Sequence, residues 1–352
     1  MKDLIYGIQQ VGIGVSDADE AKQFYRNDFG MDVKVFDDVA NASLMVSYTG
    51  HIMHQRRAIL AMNLAGGGGF EIWQFLSRSP ASPNRDMKPG DLGIFAARIK
   101  SGNIQLSHRY FENEGNHSLT PISLSPANSP VFWVKDPYNN WFQFTESREW
   151  FKKSKGHCGG VSGAVIGVSD MEKALHFYRD VLGIRHEVYN IKGHPGDMPS
   201  GSVYPHPYHR VLLRKDGCKK GAFSKLLGDV EIELVQVMDT KTEHIYRNRF
   251  WGDCGFIHLC FDIPDMDVLK ARCEQMGYRF TVDSNSSFAM DKAAGRFCYV
   301  EDPDGTLIEL VETHKIPLVK KLGLYLDLKK RKTDAPLPSW IIACMGLSKI
   351  KQ

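Results

Sequence analysis

The sequence predicts an α+β protein assembled from four similar modules, each with a strand, a helix and further strands. The first observation is an internal repeat, because VGIGVSDADEAKQFYRNDFG at 11–30 returns as AVIGVSDMEKALHFYRDVLG at 164–183. The second is a weaker repeat, in which FWVKDPYNNWFQF at 132–144 matches CYVEDPDGTLIEL at 298–310. The chain therefore divides into two halves of two modules each.

Each copy of the stronger repeat has the pattern of a strand followed by a helix. Ile-Gly-Val-Ser-Asp and Phe-Tyr-Arg recur at a constant offset of 153 residues. Apolar side chains alternate along the first strand, at Val11, Ile13 and Val15. Ser16-Asp17 is a typical helix cap. Helical spacing then places three side chains on one stripe, at Ala21, Phe24 and Tyr25. Gly30, and Gly183 in the second copy, is expected to end the helix.

Further strands complete the modules. Both helices are followed by strand-rich sequence that ends in GFEIWQF (69–75) or DVEIELVQV (229–237). A second strand and helix then begin in each half, with GIFAARIKS (93–101) and FIHLCFDI (256–263). The polar stretch REWFKKSKGHCGG (148–160) is the expected boundary. The predicted domains are 1–150 and 151–317, followed by a basic and apolar tail over 318–352.

Composition excludes several classes of function. A chain of 352 residues with a net charge of +3 is ordinary for a globular protein and gives no argument for nucleic acid as the partner. No run of about 18 apolar residues predicts a membrane span, and the first residues do not resemble a signal peptide. The seven cysteines contain no CxxC pair. We therefore expect reduced thiols, a cytoplasmic location and a small-molecule substrate.

Three side chains of metal-ligand type are predicted to share one concave surface. His258, Glu309 and Glu233 each lie on a strand whose opposite face is apolar. Those apolar faces are formed by Ile257, Leu259, Phe261 and Ile263, by Ile308 and Leu310, and by Val230, Ile232 and Leu234. Because side chains alternate along a strand, the three groups are expected on the faces away from the helices. Together they suggest a divalent metal.

The two IGVSD…FYR stretches and the closing DPDGTLIEL resemble the vicinal oxygen chelate superfamily, which includes glyoxalase I, extradiol dioxygenases, epimerases and bleomycin-resistance proteins. The resemblance extends over about residues 5–315. It implies βαβββ modules, paired into two glyoxalase-like domains, each a cupped mixed sheet with helices outside. The metal site is then expected in the C-terminal domain, 151–317, and a degenerate site in the N-terminal domain, 1–150.

The resemblance also implies four ligand positions in each cup. In the second half these correspond to Gly163, Glu233, His258 and Glu309. Glyoxalase-like members often have Gln or His, then Glu, His and Glu, so Gly163 departs from that pattern. A water or substrate oxygen is expected in its place. The corresponding first-half positions are Gln10, Glu71, a residue near Ile94, and Gln143. We expect Zn, Ni, Mn or Fe to be held by His258, Glu309 and Glu233.

The implied activity is that of a glyoxalase-like lyase or isomerase, acting on a small substrate that chelates the metal through adjacent oxygens. Glu309 or Glu233 is expected to move the proton, with His258 as a permanent ligand. One alternative is a ring-cleaving, extradiol-type dioxygenase, which would use Fe(II) and a His in place of Gly163. Another is a metal-free binding protein of the bleomycin-resistance type. A homodimer is compatible with the sequence but not required.

Overall fold

The fold is described from a computed structural model of the chain. The structure describes residues 4–115, 118–153, 156–199, 201, 203–215, 220–285, 288–290, 293–319, 324–332 and 334–349. No helix in these ranges is both long enough and apolar enough to span a membrane.

The strands fall into four groups, one for each predicted module. Module 1 contains β1 (Gly7–Gly14), β2 (Val33–Asn41), β3 (Gln55–Met62) and β4 (Gly69–Phe75). Module 2 contains β5 (Gly93–Ser101), β6 (Ser118–Leu119), β7 (Ser123–Leu124), β8 (Pro130–Lys135) and β9 (Trp141–Glu146). Module 3 contains β10 (Val161–Gly167), β11 (His186–Gly193), β12 (Tyr208–Lys215) and β13 (Val230–Val237). Module 4 contains β14 (Gly255–Asp262), β15 (Phe280–Asp283), β16 (Phe288–Met290), β17 (Ala293–Glu301) and β18 (Leu307–Val319), and β19 (Leu324–Asp327) follows in the tail.

The helices are short and few. They are α1 (Ala18–Phe29), α2 (Ile104–Glu114), α3 (Met171–Leu175), α4 (Ser224–Leu227), α5 (Met266–Gln275) and α6 (Ser339–Cys344). A π-helical segment (His176–Val181) continues α3, and 3-10 turns occupy Ser43–Tyr48 and Met345–Ser348.

The predicted helix signals of the repeat are confirmed. The Asp17 carboxylate accepts hydrogen bonds from two backbone N–H groups of the first turn of α1. Gly30 ends α1 with φ +63°, a left-handed conformation that favours glycine. In the second copy the Asp170 carboxylate caps α3 at the N–H of Lys173, and Gly183 has φ +84°.

Two large sheets form, but they do not follow the predicted division at residue 150. The first sheet has the strand order β15-β17-β18-β14-β1-β4-β3-β2 and therefore joins module 1 to module 4. The second sheet has the order β11-β12-β13-β10-β5-β9-β8-β6 and joins module 3 to module 2. The predicted α+β class with two cupped sheets is confirmed. The predicted pairing of modules within each half is wrong, and the middle modules are inserted between the outer two.

The convex faces of both sheets share one core. Phe29 of α1 packs against Phe70 of β4, with ring centroids 5.5 Å apart, and against Phe142 of β9 at 4.6 Å. The apolar faces predicted from strand alternation, such as Ile308 and Leu310, belong to the same cluster. The concave face of each sheet is therefore directed away from this core.

Two tyrosine–aspartate pairs connect the two repeats. The Tyr25 hydroxyl donates to Asp136 Oδ2 at 2.6 Å, and the Tyr178 hydroxyl donates to Asp302 Oδ2 at 2.9 Å. Both tyrosines belong to Phe-Tyr-Arg, and both aspartates to Asp-Pro. All four are buried, so each pair satisfies polar atoms inside the core. These bonds explain why the two motifs recur together.

The tail packs against both halves of the chain. Leu337 and Ile342 lie in one apolar cluster with Met62 of β3 and with Leu226 and Leu227 of α4. The apolar side chains of the tail therefore cover an apolar surface formed by β3 and α4.

Candidate metal centre

Four neighbouring strands bring polar side chains together at the middle of the first sheet. Gly12 of β1 is paired with Glu71 of β4 on one side and with His258 of β14 on the other. Glu309 of β18 is paired with Cys260 of β14. Gln10 lies two residues before Gly12 on β1. Modules 1 and 4 therefore contribute two polar side chains each to one concave surface.

A bulge in β14 alters the predicted alternation. Gly12 pairs with His258 and the next residue, Ile13, pairs with Phe256, so Ile257 is an extra residue. Phe256 joins the core, with its ring 5.4 Å from that of Phe142. Ile257 joins the apolar cluster on the concave side instead, so its predicted position on the core face is wrong. His258 keeps its predicted orientation.

The four polar side chains lie within contact distance of one another. His258 Nε2 is 3.1 Å from Glu71 Oε2 and 3.2 Å from Glu309 Oε2. The Gln10 amide is 3.4 Å from Glu71 Oε2 and 3.3 Å from Glu309 Oε2. One ligand atom from each of Glu71, His258 and Glu309 falls within 4.8 Å of the others. All four residues are buried.

Burial and mutual repulsion shape the titration of this cluster. The pKa of the Glu309 carboxyl is raised to about 7, because burial and the charge of Glu71 raise it by more than the charge of His258 lowers it. Burial alone would lower the pKa of His258, but the charges of Glu309 and Glu71 outweigh it and the pKa is raised. The cluster contains two carboxylates and a single imidazole, so His258 can offset at most one of the two negative charges.

The donors present fit a divalent cation. Gln10 Oε1 and His258 Nε2 are buried without a hydrogen-bond partner of acceptable geometry among the described residues. Such orphaned groups are costly unless something binds them. The Tyr299 hydroxyl lies 3.3 Å from His258 Nδ1. If Nδ1–H donates to that oxygen, Nε2 keeps its lone pair for a metal. One amide, one imidazole and two carboxylates are suitable ligands.

Comparison with known proteins shows which family this chain resembles. Residues 156–310 match the model of the Glyoxalase/Bleomycin resistance protein/Dioxygenase superfamily. The chain is 21% identical to a lactoylglutathione lyase of Schizosaccharomyces pombe over 318 residues, which cover 87% of this chain and 96% of that protein. The chain is thus similar to this superfamily in sequence over residues 156–310.

Solved structures agree with the superfamily fold over most of the chain. A putative dioxygenase from Bacillus subtilis superposes with a TM-score of 0.59 at 15% identity, covering 88% of this chain and 86% of that one. A glyoxalase I mutant from Zea mays superposes with a TM-score of 0.50 at 12% identity, covering 87% and 92%. At these identities the likeness concerns the fold alone.

Glu233 does not reach this centre. It lies on β13 in the second sheet, fully buried, with Arg210 Nη2 2.6 Å from Oε1 and Arg98 Nη1 3.2 Å from Oε2. Arg210 also pairs with Asp197 at 2.5 Å. The structure thus brings His258 and Glu309 together as predicted but separates Glu233 from them. The guanidinium groups of Arg98 and Arg210 neutralise the charge of Glu233, so this carboxylate does not act together with His258.

The second cup retains the strands of a superfamily site but not its ligands. The corresponding positions hold Gly163, Glu233, Ala96 and Gln143, because β10, β13, β5 and β9 pair as β1, β4, β14 and β18 do. A Cβ atom on Gly163 would lie 2.1 Å from the Glu231 carbonyl oxygen and 2.8 Å from Arg98 Cδ. Gly163 therefore accommodates close packing, and its predicted role as an open position beside His258 is wrong. The degenerate cup combines modules 2 and 3.

Gln10 and Glu71 are predicted to lie in the degenerate first half, although both fall at positions that correspond to ligands in the superfamily. They could have been identified from the sequence, because modules 1 and 4 each supply the ligand types that the other lacks. Gln10 and Glu71 supply the two donor types that are missing beside His258 and Glu309. Together they complete the order Gln, Glu, His, Glu, which neither half of the chain contains alone.

Aromatic side chains enclose the centre. The Trp251 ring stacks beside that of His258, with centroids 6.2 Å apart and an interplanar angle of 20°. Trp73 packs edge-on against Trp251 at 4.6 Å. With Tyr299, these rings form part of an apolar cluster on the concave face. They reduce the local dielectric and strengthen electrostatic interactions among the donors.

Proposed function

We propose that the chain is a metal-dependent vicinal oxygen chelate enzyme, a glyoxalase-like lyase or isomerase. The observation that carries this proposal is the convergence of Gln10, Glu71, His258 and Glu309 on one buried concave surface. A purely structural cluster would pair all its polar atoms, whereas Gln10 Oε1 has no hydrogen-bond partner among the described residues and two carboxylates share the one imidazole of His258. These donors would hold Zn, Ni, Mn or Fe.

The proposed reaction moves a proton on the carbon beside a carbonyl. A bound divalent ion would supply Lewis-acid polarisation of two adjacent substrate oxygens. Glu309 is the proposed proton carrier, because its carboxylate is buried on the concave surface beside the donors that would hold the ion and its substrate. His258 would be a neutral ligand once a cation is bound, with its ring oriented by Tyr299. Trp251 and Trp73 limit the access of water to the reacting atoms.

The donor set argues against the two alternatives. Iron oxygenases of the facial-triad type use two histidines and one carboxylate, whereas this cluster has one histidine, two glutamates and an amide. A metal-free binding protein would bury Glu71 and Glu309 beside each other with only the single imidazole of His258 to offset two carboxylate charges. Neither alternative explains the four donors as directly.

Metal analysis and one substrate assay test the proposal. Purified protein should bind close to one divalent ion per chain, and His258→Ala should abolish binding while the exposed His194→Ala does not. The name of the fission-yeast relative suggests the assay, which mixes methylglyoxal with glutathione and follows S-lactoylglutathione. Glu309→Gln should remove activity, with the exposed Glu172→Gln as its control. Oxygen uptake with catechols and no metal-dependent isomerisation would overturn the proposal.

A further inference from the structure

A cavity lies at one end of the first sheet, away from the candidate metal centre. Its volume is about 450 Å³, within the range of small-molecule sites. Its walls come from the end of β14, the start of α5, β18 and the tail residues at 328, 329, 331, 332 and 335. The tail lies beyond the matched residues 156–310, so this cavity depends on a segment outside the superfamily match.

Asp262 is a buried carboxylate that lines this cavity. It is 4% exposed, and its side chain has no hydrogen-bond or ion-pair partner among the described residues. Burial raises its pKa to about 8. Burying an unpaired carboxylate costs several kcal/mol. A buried carboxylate on the wall of a cavity of this size is therefore suited to an external cation.

The other acidic groups on the wall are already engaged. Asp267 pairs with Arg296 at 2.6 Å. Glu312 accepts from the backbone N–H of Met266 at 2.8 Å and lies 2.9 Å from His314 Nε2. The Asp265 carboxylate caps α5. Asp262 therefore differs from its neighbours, because those groups have protein partners.

Two lysines of the tail add positive charge at the same cavity. Lys329 and Lys332 line it and are exposed. Neither side-chain amine forms an ion pair with the described residues. Arg331, between them, directs one guanidinium nitrogen to the Pro336 carbonyl at 3.5 Å. The cavity thus presents one buried negative group and, on the tail, two solvent-exposed positive groups.

We propose that this cavity binds a small zwitterion, with its ammonium group on Asp262 and its acidic group on Lys329 and Lys332. An ammonium ion would donate charge-assisted hydrogen bonds to the buried carboxylate. The lysines would select ligands that carry an acid at the other end. Asp262 is four residues from His258 along β14, or roughly 13 Å, so the two sites are separate. The proposal does not depend on the proposed metal chemistry.

Calorimetry with amino acids of two lengths tests the site. The probes are 4-aminobutanoate and 6-aminohexanoate, with hexylamine and hexanoate as controls that each lack one charge. At least one amino acid should bind saturably and more tightly than either control. Asp262→Asn should weaken that binding at least about tenfold, the order expected for a lost charged hydrogen bond. Asp267→Asn is the matched control on the same wall and should bind as the wild type does.

A second variant tests the opposite end. Lys329→Ala combined with Lys332→Ala should weaken binding of the amino acid and leave binding of hexylamine unchanged. Thermal unfolding verifies that Asp262→Asn stays folded, which is expected because the amide removes a buried charge. Two results would overturn the proposal: no probe binds up to about 10 mM, or Asp262→Asn binds as tightly as the wild type.

Discussion

Gly12 of β1 lies directly opposite His258 of β14, and the imidazole ring occupies the space that a side chain on Gly12 would need. A Cβ atom there would be 2.4 Å from His258 Cε1, well inside van der Waals contact. The backbone of one strand thus sets the position of a ligand on the next.

Gly12→Ala should displace His258 and weaken metal binding. We expect a loss of roughly 10–100-fold in affinity, as when a group that orients a ligand is removed. Competition with a chromogenic chelator would measure it. Gly196→Ala is the control, because no atom lies within 4 Å of a Cβ there. Unchanged affinity in Gly12→Ala would mean that His258 is free to reorient and still bind.

Glu71→Gln and Glu233→Gln should have opposite effects. Glu71→Gln removes a ligand and should lower metal content with little loss of stability. Glu233→Gln should keep the metal but reduce the free energy of unfolding by about 3–5 kcal/mol, because Arg98 and Arg210 lose a buried partner. Elemental analysis and urea unfolding measure the two quantities. Loss of metal in Glu233→Gln alone would instead support pairing of modules within each half.

Metal binding should strengthen as pH rises through about 7. The pKa of Glu309 is raised to about 7 and that of His258 is also raised. Below these pKa values both groups hold protons that must leave before a cation binds, so the affinity falls as pH decreases. Calorimetry in two buffers of different ionisation enthalpy would count the released protons. Glu309→Gln should release fewer, and equal release would contradict the assignment.

Asp262→Asn should stabilise the protein, and more so at alkaline pH. Burial raises the pKa of Asp262 from 3.8 to about 8, so the folded state binds this proton more tightly than the unfolded chain does. Its contribution to stability therefore falls as pH rises from about 4 to about 8 and stays low above that. Urea unfolding at pH 5 and pH 8.5 would show a larger gain at the higher pH. Asp267→Asn, which loses an ion pair instead, should show no such gain.

The orientation of single side chains was predictable, whereas the pairing of modules was not. Alternation correctly placed Glu309 opposite Ile308 and Leu310, because it depends only on the strand that carries it. Glu71 and Glu233 close similar strands with similar apolar faces, so local pattern cannot say which one meets His258. That choice is made by the antiparallel pairing of β1 with β14. It is a contact between segments that are distant in the sequence.

The bulge at Ile257 could not be predicted from the hydrophobic periodicity of the strand, for a different reason. Phe256 and Ile257 are both apolar, so either face of the strand accepts either residue, and the pattern carries no sign of an insertion. The structure needs the extra residue to direct both Ile257 and His258 toward the concave side.

The insertion of modules 2 and 3 between the outer modules also sets the order in which a newly made chain can finish folding. On a ribosome, Gln10 and Glu71 emerge early, but they wait for the whole of β5–β13 before β14 can pair with β1. All strands of the second sheet have been synthesised by residue 237. His258 and Glu309 are synthesised only after that. Metal loading would then be a late event of biosynthesis. A chain truncated between residues 237 and 255 would keep all strands of the second sheet and would lack His258 and Glu309.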